Sequence, residues 1–184
     1  MARMLDKILV IDVEATCWEG DPPIGQSSEI IEIGLCVLDV ASGERSAPRA
    51  IMVKPQRSTL SEYCIQLTTI TPEMLADGLT FGEACDLLCE EYCSNLRTWA
   101  SYGDYDRLQF SNQCEQWGIL YPFGSAHINV KNLLALQLGL KQEVGLQHAC
   151  SLLGLTFEGT IHRGVDDAWN IAAVLERVLL GRNR

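Results

Sequence analysis

A chain of 184 residues, 47% of them hydrophobic, can bury one full core but has little left over for a second. Its formal charge of −10 excludes a protein that grips duplex DNA through a broad basic surface. It still permits a nucleic-acid enzyme whose acidic centre is neutralised by metal ions. No apolar run is long and charge-free enough to span a membrane, and Met1–Lys7 has no leader-like apolar region. A single cytoplasmic domain over residues 1–184 is expected.

The first element is the apolar, β-branched run Ile8–Ile11, which reads as a buried central strand. It carries Asp12 and Glu14 at its end. Residues i and i+2 of a strand point to one face, so the two acids leave the strand side by side. They raise each other's pKa unless a cation sits between them, and a hard divalent ion with oxygen ligands suits that place. A polar, turn-rich loop follows from Trp18 to Gln26. Ser28–Asp39 reads as a second strand, and Ala41-Ser42-Gly43-Glu44 turns it into a third, Ala47–Val53. These three strands form an antiparallel meander.

From Leu60 to Pro72 there is no clear periodicity, although Thr71 and Pro72 suit a helix start. A helix is expected over Thr80–Asn95, opened by the capping box of Thr80 and Glu83. The cysteines at 85, 89 and 93 would share one of its faces. The eight cysteines of the chain lack paired metal-ligand spacing and read as free thiols of a reducing compartment. Arg97–Ser101 reads as a fourth strand, Tyr105–Trp117 as a helix and Ala126–Val130 as a fifth strand. Helices over Lys131–Gln137, Gly145–Leu153 and Val165–Leu180 complete the chain, the last with a pronounced apolar stripe. Antiparallel strands followed by β-α-β-α units make an α/β layered domain with a mixed sheet.

Further acids stand at helix starts. Asp104 fits the N-cap of the helix at Tyr105, which leaves Asp106 to point elsewhere. Asp166 and Asp167 occupy the first turn of the last helix, with His162 just outside it. His127 and His148 have no acidic company at suitable spacing and are assigned to structure. Asp12, Glu14, Asp106 and Asp167 with His162 supply the parts for two-metal phosphodiester chemistry. There, cations about 3.5–4 Å apart clamp the attacking and leaving oxygens. The histidine, titrating near neutrality, can take a proton from water.

In these motifs the chain resembles the DEDDh 3′–5′ exonucleases of the ribonuclease H-like superfamily. Asp12-Val13-Glu14 matches the first motif, Tyr105-Asp106 the second, and His162 with Asp167 the third. Asp12–Cys17, Glu29–Gly34, Leu60–Thr68 and His162–Asp167 are similar to the Eri-type group, which includes the 3′ histone-mRNA exonuclease and KapD-like proteins. The resemblance implies a ribonuclease H-like mixed five-stranded sheet, antiparallel in its first three strands and parallel in the last two, flanked by helices. It implies two Mg²⁺ or Mn²⁺ ions on Asp12, Glu14, Asp106 and Asp167, with His162 as general base. It also implies that the backbone at Ala15 and Thr16 meets the 3′-terminal nucleotide, with Leu67 and Thr68 walling its pocket.

The expected activity is hydrolysis of single strands from the 3′ end to nucleoside 5′-monophosphates, RNA over DNA. The chain length leaves no room for an accessory nucleic-acid-binding domain, which favours short substrates or recruitment by a protein partner. Two other readings stand beside this one: the same chemistry on DNA, and a regulatory interaction module on the same fold.

Overall fold

The protein is described by a computed structural model over residues 4–181. Met1–Arg3, the head of the segment read as leaderless, and residues 182–184 lie outside the described residues. Strands β1 (Met4–Ala15), β2 (Ile30–Asp39), β3 (Arg45–Met52), β4 (Arg97–Ser101) and β5 (His127–Asn129) form one sheet in the order β3-β2-β1-β4-β5. The β1–β2 and β2–β3 pairs are antiparallel, while β1–β4 and β4–β5 are parallel. The mixed five-stranded sheet expected from the sequence is present.

The central position of β1 explains its continuous apolar run. Leu9, Ile11 and Val13 pack into a core with Phe81, Leu88, Trp99 and Phe110 on one face of the sheet. Ile8 and Val10 pack on the other face with Ala100, Leu134, Ile171 and Leu175. A strand covered on both sides needs apolar side chains at successive positions.

The helices are α1 (Glu62–Thr68), α2 (Pro72–Leu75), α3 (Phe81–Tyr92), α4 (Tyr105–Trp117), α5 (Val130–Leu138), α6 (Leu146–Leu152) and α7 (Gly164–Leu180). The stretch without periodicity is therefore partly helical. Ser61 caps α1 by accepting the Cys64 N–H at 2.9 Å, while its hydroxyl donates to the Cys17 carbonyl at 2.6 Å. Seven residues are too few to display a helical repeat, and this short helix is held by its cap and its dock on the segment after β1. Thr71 occupies the N-cap position of α2 but makes no side-chain cap bond. The capping box of Thr80 and Glu83 is present at α3. That helix ends before Cys93, which takes a left-handed conformation at φ 52°, so the three cysteines do not share one helical face.

Helix α7 lies across β1 and β2. Its first residue, Gly164, presses on the rung formed by Asp12 and Gly34, which are partners in the β1–β2 register. A Cβ at Gly34 would stand 1.7 Å from the Gly164 carbonyl carbon, and one at Gly164 would stand 3.0 Å from the Asp12 carbonyl oxygen. The helix start can sit this low only because two glycines face each other. Gly34→Ala is expected to cost about 3 kcal/mol or more, the upper range for overpacking, because backbone must move. Urea unfolding of the variant against wild type measures it.

Candidate active site

Strand β1, helix α4, helix α7 and the loop before it deliver the charged groups to one end of the sheet. Strand β1 ends on Asp12 and Glu14, on the face of the sheet that α7 covers. Helix α4 brings Asp106, which is 4% exposed and accepts the Val13 N–H at 2.9 Å. That bond ties the start of α4 to the middle of the acidic motif. The same helix is stitched down by buried glutamines: Gln109 donates to the Ser28 carbonyl, and Gln113 accepts the Ile30 N–H, both at 2.9 Å. Helix α7 brings Asp167, and the loop before it brings His162. The His162 N–H donates to Asp167 Oδ2 at 2.9 Å. His162 itself is exposed and has a left-handed backbone at φ 60°.

Asp104 does not act as the side-chain cap expected of it. Its carboxylate accepts from Arg107 at 3.1 Å and from Asn129 at 3.2 Å, outside the helix end. Asp166 is likewise occupied elsewhere, accepting the Thr160 N–H at 2.8 Å. Both findings leave Asp106 and Asp167 as the acids that turn inward.

Asp12, Glu14, Asp106, His162 and Asp167 all line one cavity of about 650 Å³. Ala15 and Leu67 line it as well. Thr16 and Thr68 sit behind its wall, fully buried. The Thr16 hydroxyl accepts the Glu29 N–H, and the Thr68 hydroxyl donates to the Cys64 carbonyl.

Sequence reasoning missed other residues. His148, assigned above to structure, stands exposed on the cavity wall together with Tyr105 and Phe157. Its acidic neighbours come from other elements, so spacing along the chain carried no signal. His127 is structural, as expected: its ring lies 4.3 Å from Trp99 and its Nε2 is 2.9 Å from the Ser101 hydroxyl. Glu32 lies fully buried opposite Glu14 in the β1–β2 register. Its signal was visible, because an acid inside the run Ile30–Ile33 demands a buried partner. That partner is Arg163, whose Nε donates to Glu32 Oε2 at 3.0 Å.

The electrostatics follow from packing like charges away from water. Burial first, then Asp106 and Asp167, push the Asp12 carboxyl far above its ordinary range. Burial and the Asp167 and Glu32 charges raise Glu14 to about 8. Burial raises Asp167 to about 7 against the opposing hydrogen bond from His162. Burial also raises Asp106 to about 6, although its bond from Val13 favours the ionised form.

This donor set fits a hard divalent cation. Ligand atoms of Glu14, His162 and Asp167 lie within 4.8 Å of one another, and carboxylate oxygens dominate the surroundings. A cation there would add to the counter-charge that Arg163 brings toward Glu14 and Glu32.

A ribonuclease H-like sheet with inward acids and a histidine at its end defines the class as a nuclease-type hydrolase fold. The exonuclease family model matches residues 9–175, and the chain belongs to that family. The chain is 32% identical over 184 residues to human 3′-5′ exoribonuclease 1, covering 95% of this chain and 52% of that protein. It is 26% identical to the 3′-5′ exonuclease Snipper of Drosophila melanogaster, covering 91% and 67% of the two chains. The nuclease domain of 3′hExo, a DEDDh family member solved with rAMP, superposes with a TM-score of 0.85 at 27% identity, covering 99% and 96%. The DEDDh, Eri-type resemblance read from the motifs is thereby supported at the level of family and fold. The chain spans about half the length of the human exoribonuclease.

The raised carboxyls set a pH dependence for the metal-free protein. Between the ordinary values of 3.8 to 4.5 and the raised values of about 6 to 8, the folded state holds protons that the unfolded state has released. Stability from these groups is therefore lost as pH rises through that window. In chelator the melting temperature is expected to fall between about pH 5 and pH 8, and saturating Mg²⁺ to reverse the fall. Thermal melts at constant ionic strength check both.

Proposed function

We propose that the protein is a divalent-metal-dependent 3′–5′ exonuclease that shortens single strands to nucleoside 5′-monophosphates, RNA in preference to DNA. The observation that carries this reading is the meeting of Asp12, Glu14, Asp106, His162 and Asp167 in one cavity from three separate stretches of chain. The names of the relatives supply the polarity and the RNA preference: exoribonucleases in human, rat and mouse, and a 3′-exonuclease solved in specific recognition of a histone mRNA stem-loop.

Asp12, Glu14, Asp106 and Asp167 would hold two Mg²⁺ or Mn²⁺ ions. Such a pair, when bound, supplies the clamp on the attacking and leaving oxygens of an in-line displacement. The chain's own groups do the rest. His162, exposed at the cavity mouth, accepts the proton of the attacking water at a ring nitrogen. Asp106 keeps β1 and α4 in register through Val13. Ala15 and Leu67 offer apolar wall to the terminal nucleoside. Thr16 and Thr68 contribute by shaping the backbone behind that wall. The eight thiols, all free among the described residues, suit a reducing cytoplasmic setting. The acidic surface favours short strands or delivery by a protein partner.

The test is degradation of a 5′-labelled single-stranded RNA and its DNA twin with Mg²⁺, Mn²⁺ or chelator. A ladder receding from the 3′ end, lost in chelator, is expected. His162→Ala should slow it by about 10²- to 10⁴-fold, the usual share of general-base catalysis. Asp12→Asn should abolish it while leaving the protein folded. Faster loss of the DNA strand would transfer the reading to a DNA exonuclease. Intact strands under every metal would point to a protein-interaction role on this fold.

A further inference from the structure

Glu32 and Arg163 have no part in the chemistry just described, yet they sit against it. Glu32 is fully buried on β2, opposite Glu14. A charge placed there adds to the repulsion in the site and, even when paired, adds little to stability. Its two oxygens are both engaged with one short segment. Oε2 accepts from Arg163 Nε at 3.0 Å, and Oε1 accepts the Val165 N–H at 3.4 Å. Between those two residues Gly164 rests on the Asp12 carbonyl and on Gly34.

His162 immediately precedes this segment and adopts a backbone conformation that side-chain-bearing residues rarely take. Its N–H is bound to Asp167 on the other side. The loop is thus held at two points, at His162 itself by Asp167 from within α7, and directly after it, at Arg163 and Val165, by Glu32 from the sheet. Loosening either one frees the loop to relax toward an ordinary φ.

We propose that the buried Glu32–Arg163 ion pair is a positioning clamp for His162, holding its imidazole over Glu14 and Asp167 without touching substrate. The proposal rests on the exonuclease reading above. The Arg163 side chain is 20% exposed, and its guanidinium is turned down to Glu32, so its charge is spent beneath the site. The clamp also explains why a strand otherwise made for burial carries an acid at this rung.

The experiment compares wild type with Arg163→Gln, Arg163→Lys, Glu32→Gln and the double Glu32→Gln/Arg163→Gln variant. It reads kcat and KM on a labelled single-stranded RNA, with amide hydrogen exchange over residues 160–165. For Arg163→Gln the expected result is a fall in kcat of about 10- to 100-fold, the size of effect that misplacing a catalytic group produces. KM should stay within about two-fold, since no substrate contact is removed. Exchange should quicken in the 160–165 segment and not in the sheet. Arg163→Lys should recover part of kcat. The double variant should be less impaired than Arg163→Gln alone, because no unpaired charge is left buried.

A KM raised about ten-fold with kcat unchanged would make Arg163 a substrate contact and overturn the proposal. Unchanged kcat and unchanged exchange would overturn it too. If Glu32→Gln fails to fold, the two Arg163 variants still decide. If wild type cleaves no strand, the exonuclease reading falls. In that case exchange alone judges the clamp: local loss of protection in Arg163→Gln supports it, and unchanged protection refutes it.

Discussion

The contact on which the site depends is the one between Gly34 and Gly164, where the start of α7 rests on the β1–β2 rung. Any larger residue on β2 at this point would lift the helix from the sheet. Lifting it would carry Asp167 away from Asp12 and Glu14 and would detach the Glu32 bonds to Arg163 and Val165. The catalytic candidates from the two ends of the chain share a cavity because backbone lies directly on backbone. The alternating burial of β1 does the complementary work: it commits Leu9, Ile11 and Val13 to one core and leaves the positions of Asp12 and Glu14 on the face that α7 covers.

This arrangement brings together groups that repel. Four carboxyls are drawn out of water within reach of one another, and their proton affinities rise accordingly. A fold does not collect such charges for its own stability. The packing elsewhere offsets the cost, with Trp99, Phe81 and Phe110 fully buried on one side of the sheet and the long apolar stripe of α7 on the other. One left-handed backbone, that of His162, falls at the site itself. The same logic accounts for Arg163. One cation, aimed at the deepest acid, relieves the cluster while leaving the cavity side open.

The elements differ in how plainly the chain announced them. The limits of α4 and the capping box of α3 agree with expectation because cap residues and a long window give strong local signals. Helix α1 went unseen because it spans only seven residues and depends on Ser61 reaching the Cys17 carbonyl, a contact distant in sequence. The face assigned to Cys85, Cys89 and Cys93 failed since the helix stops one residue short of the third. In the sequence, Asp104 and Asp106 were separated by an expected cap role and by motif register. The structure separates them physically: one reaches out to Arg107 and Asn129, the other in to Val13.

The mixed five-stranded sheet came with the family resemblance, while local pattern alone was enough for the strand carrying Asp12 and Glu14, the antiparallel meander and the acids at the starts of α4 and α7. Those features depend on near neighbours and on periodicities of two and 3.6 residues. Tertiary packing decided everything that depends on distance through space. It put His148 on the cavity wall, turned Thr16 and Thr68 inward, and paired Glu32 with Arg163 across 131 positions of chain. Such pairings arise from how elements stack, and a buried charge finds its partner only once the sheet and α7 have met.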